Sequence, residues 1–245
     1  IAKELAAYAD TAGDKAGYVV AHRWYGTALI YLPDHEQSKL HIEEGLAAYD
    51  EVETPRFTDE YGHCPKALGL VYLAWTQVLR GYPDQGIALA QKAASHAETL
   101  DFPFMLGFVH WIAGWSFHDI KDLGRAEKAA EAQLEIASEE QFSVMQTTAL
   151  ILSGWGKHCR GDTDSLEKME RAFSQLENIS PGAVPMFHIH VLIDTLIRSR
   201  RFETATEKIQ HGLNRSEKLG CRYRIPELLR FKGVCALARK KADLD

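Results

Sequence analysis

The stretch Leu73–Ala93, "LAWTQVLRGYPDQGIALAQKA", joins an apolar run containing a tryptophan to an alanine-rich run through a Gly-Tyr-Pro-Asp turn. At a step of 40 residues, Gly114-Trp115 stands where Ala74-Trp75 stood, and Gly154-Trp155 follows at the same step. Gly81, Lys121 and Gly161 hold equivalent places just before the turns "YPDQ", "DLGR" and "DTDS". After the first turn, Ile87, Ala90, Ala94 and Ala97 share one helical face; after the second, Ala126, Ala130, Leu134 and Ala137 do so. A further copy begins at "RRFETATEKIQHGL", with Phe202, Ala205, Ile209 and Leu213 aligned. An earlier one lies at "LPDHEQSKLHIEEGLAAYD", where the step is 50 rather than 40.

Each of these helices has a partner before it. The pattern predicts the pairs Asp14–Leu32 with Asp34–Asp50, Pro65–Arg80 with Pro83–Leu100, and Pro103–Ile120 with Leu123–Glu139. Ser143–Arg160 with Thr163–Glu177, Pro185–Arg200 with Phe202–Leu219, and a last helix from near Pro226 complete the series. Prolines 65, 83, 103, 185 and 226 stand where a first helical turn tolerates a missing N–H. Gly81, Gly161 and Gly220 suit helix ends, and Asp162 suits an N-cap. No stretch alternates with period two for long enough to make a strand.

One helix pair cannot bury its apolar face alone, so stacked pairs share a continuous core and form a superhelix with a concave side. The expectation is an all-α, tetratricopeptide-like superhelix of antiparallel helix pairs, in which Ala74, Gly114, Gly154, Gly86, Ala126 and Ala205 are small so that helices can approach. A single solenoid over 1–245 is expected, with first repeats in 1–50, an irregular exposed loop insertion at 51–63 ("EVETPRFTDEYGH") and regular repeats in 64–245. Ile1–Asp10 reads as a helix whose partner is missing; with Ile rather than Met at position 1, this implies a fragment of a larger protein.

Composition narrows the function. The net charge of −6 offers no overall basic field for nucleic acid. No apolar run approaches the length of a membrane span, and no signal peptide precedes the first helix, so a cytoplasmic protein without membrane contact is expected. Cys64, Cys159, Cys221 and Cys235 lie far apart without a C-x-x-C pair, as reduced thiols would. Neither a Walker loop nor G-x-S-x-G nor H-E-x-x-H occurs, and no carboxylate pair is ordered for acid–base work. The expectation is a non-catalytic chain with no cofactor and no metal.

"YGHCPKALGLVYLAW" (Tyr61–Trp75) and the following "LRGYPDQGIALAQKA" resemble the C-terminal repeat region of bacterial signalling proteins that join an adenylate or guanylate cyclase, or a DNA-binding domain, to a STAND-type AAA ATPase and tetratricopeptide-like repeats. "AHRWYGTAL" (Ala21–Leu29) and "ELLRFKGVCAL" (Glu227–Leu237) are similar landmarks. The resemblance implies a repeat module that senses a partner and restrains an effector. Its partners would be a protein or peptide, other domains of the same polypeptide, or a small-molecule effector. The chain departs from the pattern at Cys64, where Asp is expected, and at Lys66-Ala67.

The candidate partner groove is the aromatic series Trp75, Trp115 and Trp155, with Trp111 one turn before Trp115, and His118 and His158 three residues after their tryptophans. Two readings compete. Rings with polar neighbours suit a peptide or inducer groove, in which case part of each side chain is reachable. The commoner case is a repeated helix interface that places an aromatic residue at every repeat as core. A step between repeats leaves His118 and His158 too far apart to share a metal ion.

Overall fold

The structure, a computed structural model, describes residues 1–49 and 54–242. Among them are thirteen helices and no strand. The chain divides into two compact units, Ile1–Arg125 and Ala126–Asp245. The first contains α1 (Ala2–Ala12), α2 (Lys15–Tyr31), α3 (His35–Tyr49), α4 (Thr54–Tyr61), α5 (Pro65–Leu79), α6 (Pro83–Glu98) and α7 (Pro103–Asp119). Most of α8 (Leu123–Glu139) lies in the second, with α9 (Ser143–Cys159), α10 (Ser165–Ile179), α11 (Pro185–Arg198), α12 (Phe202–Leu219) and α13 (Ile225–Ala242).

Close packing follows the small residues. A Cβ on Gly26 of α2 would stand 2.9 Å from the Ser38 carbonyl of α3, and one on Gly45 of α3 would stand 3.1 Å from the Val19 carbonyl of α2. Gly86 brings α6 equally close to α5, where a Cβ would lie 2.8 Å from the Ala74 carbonyl. In the second unit, a Cβ on Gly154 would run into the Met169 side chain of α10. Helix backbones that nearly touch leave no room for a side chain, which is why the repeat keeps a small residue at these points.

Four repeats also close their first helix in the same way. The Tyr82, Asp122, Asp162 and Arg201 amides donate to the carbonyls of Gln77, Phe117, Lys157 and Leu196. The residue before each donor is left-handed: Gly81 (φ 89°), Lys121 (φ 58°), Gly161 (φ 99°) and Arg200 (φ 58°). This six-to-one bond satisfies a carbonyl that the helix end would orphan, and it turns the chain back sharply. Asp162 then orders the start of α10, its Oδ1 accepting from the Asp164 and Ser165 amides at 3.0 and 3.3 Å.

The expected irregular loop at 51–63 is corrected over its described part. Residues 54–61 form α4, whereas 51–53 lie outside the described residues. Phe57 is fully buried, and its ring stacks on Tyr49 at 5.2 Å. Two aromatic residues, Phe57 and Tyr61, anchor this short helix, and so brief a segment shows no sustained periodicity in sequence. Cys64, where the family resemblance places Asp, is the N-cap of α5 without a side-chain cap bond. It is buried beside the Tyr49 hydroxyl (3.7 Å) and His96 Nε2 (3.5 Å).

The left-handed turns give a paired test. Gly161→Ala places a Cβ in a conformation that disfavours it and lowers stability by about 1–2 kcal/mol. Arg200→Gly relieves the same conformation and leaves the thermal midpoint unchanged or raised. Equal losses in both variants, read by thermal unfolding, would refute the shared geometry.

Candidate functional site

The tryptophan series is core. Trp75, Trp115 and Trp155 are buried, with 0%, 4% and 2% of their surface exposed, and Trp111 is buried as well. In the first unit, the Trp75 and Trp115 rings meet edge-on at 5.0 Å, and Trp111 meets Trp115 at 5.9 Å. The Trp75 indole N–H donates to Asp119 Oδ2 at 3.0 Å. In the second unit, Trp155 repeats the device, donating to Asp194 Oδ2 at 2.9 Å. The ring thus fills the seam between successive first helices while its polar edge finds a carboxylate in the next repeat. His118 is buried with Nδ1 3.6 Å from Asp119. His158 is half-buried, its Nε2 facing the Ser199 hydroxyl at 2.9 Å. The reachable surface expected of the rings is therefore replaced by packing, because the same interface recurs from repeat to repeat.

Sequence reading missed the group that stands out on physical grounds, Arg23 of α2. The residue is only 3% exposed. Burial pulls its guanidinium down to a pKa of about 10. Among the described residues no carboxylate pairs with it, and its Nε has no hydrogen-bond partner. One N–H2 group donates to His63 Nε2 at 3.0 Å. His63 Nδ1 donates in turn to the Tyr61 carbonyl at 2.7 Å, which fixes Nε2 as the accepting lone pair and keeps the ring neutral. Burial, then the Arg23 charge, hold the His63 pKa below its ordinary value.

An aromatic row continues from this cation across the first helices of the unit. The exposed Trp24 lies under the Arg23 guanidinium at 4.0 Å. Tyr72 of α5 follows, its hydroxyl pushed up to about 12 by burial, with Arg23 opposing that shift. The half-buried Phe108 of α7 lies 6.3 Å from Tyr72 and 5.4 Å from Trp111, and the more exposed Phe104 lies 6.1 Å from Phe108. Trp111, one of the six residues singled out in sequence, thus borders this row. An uncompensated buried cation beside apolar rings is suited to receiving an anionic group on an otherwise apolar ligand.

The second unit holds a half-open cleft of about 470 Å³ between α9 and α10, lined by Leu150, Gly154, Lys157, Lys168 and Arg171 among others. It too combines apolar wall and cations. No helix of the described residues is long and apolar enough to cross a membrane.

Helix pairs at a near-constant step, closed by a repeated turn and packed through small residues, define a tetratricopeptide-like helical repeat protein. Its fold has a solved counterpart. A Rap protein complexed with competence and sporulation factor matches with a TM-score of 0.62 over 96% of this chain and 69% of that one, at 13% identity. No protein-family model matches the sequence, and no curated protein does.

Two measurements test the site. Arg23→Met removes an uncompensated buried charge, so it should raise stability by about 1 kcal/mol despite the lost bond to His63; a lower melting midpoint would mean the charge is compensated. The second concerns pH. Burial is the first cause lowering His35, His63, His96 and His110 below 6.5. The unfolded chain therefore takes up protons before the folded one, and stability declines as pH falls below about 6.5. His63→Gln should make that decline shallower in urea titrations at pH 7 and pH 5.

Proposed function

We propose that the chain is a non-catalytic regulatory module that binds an extended peptide or protein segment on the aromatic row of its first unit, with Arg23 anchoring a carboxylate of that partner. The observation that carries this reading is the buried guanidinium without a counter-charge. A protein that keeps such a group sacrifices stability at that point, and the ligand that neutralises it recovers it. The exposed Trp24 and Phe104 and the half-buried Phe108 supply flat apolar contact beside the anchor, over the buried Tyr72 and Trp111. The solved Rap protein of similar fold is complexed with competence and sporulation factor, a precedent for a repeat array of this kind holding a partner.

The resemblance of Tyr61–Ala93 to the repeat regions of cyclase and STAND ATPase proteins supports a place in a cytoplasmic, multidomain signalling polypeptide. There the bound partner would shift the restraint that the module places on its effector. A second reading rests on the cleft between α9 and α10: with Lys157, Lys168 and Arg171 around Leu150, it suits a small anionic inducer.

Screening a random peptide array, with free and with amidated C termini, separates these readings. Binders should carry a carboxylate, and Arg23→Gln should weaken them at least ~10-fold, as expected where a buried charge-assisted pair is lost, while the circular dichroism spectrum is kept. Binding that ignores both the carboxylate and Arg23→Gln but falls with Lys168→Gln would move the site to the cleft.

A further inference from the structure

Where α1, α2 and α3 meet, three donor atoms converge. His22 Nδ1 of α2 lies 2.8 Å from Glu44 Oε2 of α3. His41 Nδ1, also of α3, lies 3.1 Å from His22 Nδ1 and 3.1 Å from Glu44 Oε2. The other nitrogen of His22, Nε2, is 3.0 Å from Asp10 Oδ1 of α1. His22 is buried, whereas His41 is half-buried and Glu44 exposed. Tyr18 stacks on the His22 ring at 4.1 Å and Tyr25 lies against His41 at 4.5 Å, so the rings are held in place from both sides.

Hydrogen bonding alone serves this arrangement poorly. With its Nε2–H donated to Asp10, a neutral His22 presents the Nδ1 lone pair to a carboxylate oxygen and to a second ring nitrogen. His41 can donate an Nδ1 proton to either neighbour, but the 2.8 Å contact of His22 Nδ1 with Glu44 Oε2 then sets one lone pair against another, which a cation between them relieves. A single extra ring proton serves one contact, whereas a metal ion serves all three at once. An ion ~2.0–2.1 Å from each atom sits only ~1 Å out of their plane, leaving the opposite side open for water or a further donor. The Asp10–His22 bond supplies the outer-shell carboxylate that orients a ligating imidazole.

We infer that His22, His41 and Glu44 bind a divalent transition-metal ion, with Asp10 as the residue that positions His22. Two imidazoles and a carboxylate select Zn2+ or its neighbours over Mg2+ and Ca2+, which prefer oxygen ligands. The sequence expectation of no metal rested on the missing H-E-x-x-H spacing and on the repeat step that separates His118 from His158. Here the set is assembled across two helices instead: His41 and Glu44 are one turn apart on α3, and Gly26 and Gly45 let α2 come close enough to add His22. This site is independent of the peptide reading. It bridges α2 and α3 and fastens α1 through Asp10, so its effect is structural stabilisation of the end of the first unit.

The full chain, stripped with EDTA, is titrated with ZnCl2 by calorimetry and with CoCl2 by visible absorption, and is melted with and without Zn2+. The expected result is one saturable site, a raised melting midpoint and visible Co2+ bands of low-symmetry nitrogen–oxygen coordination. His41→Ala and Glu44→Gln, both at positions with solvent access, should abolish that site while the chain stays folded by circular dichroism. Asp10→Asn should weaken it by ~10–100-fold. His211→Ala, on the exposed face of α12, should change nothing. Absence of saturable binding in the wild-type chain overturns the assignment, as does binding that survives both His41→Ala and Glu44→Gln. Two variants guard against loss of fold in either one.

Discussion

A first helix in this chain must end, and four of them end on the same backbone bond. The amide of residue 82, 122, 162 or 201 reaches back to the carbonyl five residues earlier, across a left-handed residue. That bond sets where each second helix begins and therefore which of its residues face the first. The small residues are a consequence. Once the turn fixes the entry angle, Gly86 and Gly154 must lie against backbone or core side chains, and a larger residue would have to push the pair apart. Glycine at 81 and 161 meets φ values near 90–100° that other residues rarely adopt. Lys121 and Arg200 sit at 58°, within the left-handed well that an ordinary side chain tolerates at a modest cost. The turn is thus a geometric requirement before it is a glycine requirement.

This explains what sequence made legible. Gly81, Lys121 and Gly161 were recognisable as equivalent from their spacing alone, although lysine is no glycine. The helix pairs followed to within one or two residues, since Pro65, Pro83, Pro103 and Pro185 mark true first turns. Residues 54–61 were not legible as a helix. Their main anchor is the buried Phe57 ring, with Tyr61 beside it, and a tertiary contact with Tyr49 carries no local period.

The tryptophans show a different limit. A step of 40 says that Trp75, Trp115 and Trp155 occupy the same place in successive repeats, and it says so whether that place is a groove or a seam. What decides is the neighbour, and the neighbour is a carboxylate one repeat on: Asp119 for Trp75 and Asp194 for Trp155. Neither aspartate stands out in sequence, because each becomes meaningful only when the next helix is in place. Periodic features in a repeat array report the interface that every repeat shares. A binding site for one ligand breaks that equivalence, so it is to be sought among residues that do not recur.

Arg23 and His22 are such residues. They are consecutive on α2, and a helix turns about 100° between neighbours, so their side chains leave on different faces. Arg23 goes toward His63 and Tyr72, where its charge is buried without a counter-ion. His22 goes toward Asp10, His41 and Glu44, where carboxylates surround it. Opposite electrostatic problems are set on two faces of one helix, one short of an anion and the other short of a cation. Had the two groups shared a face, an arginine–carboxylate pair would have settled both, as elsewhere in the chain Arg80 settles against Glu36 at 2.8 Å. Close packing through Gly26 and Gly45 sets α2 on α3 so that the Glu44 carboxylate meets His22 at 2.8 Å and not Arg23. A buried group whose nearest remedy is kept out of reach by the fold is then left for something that binds.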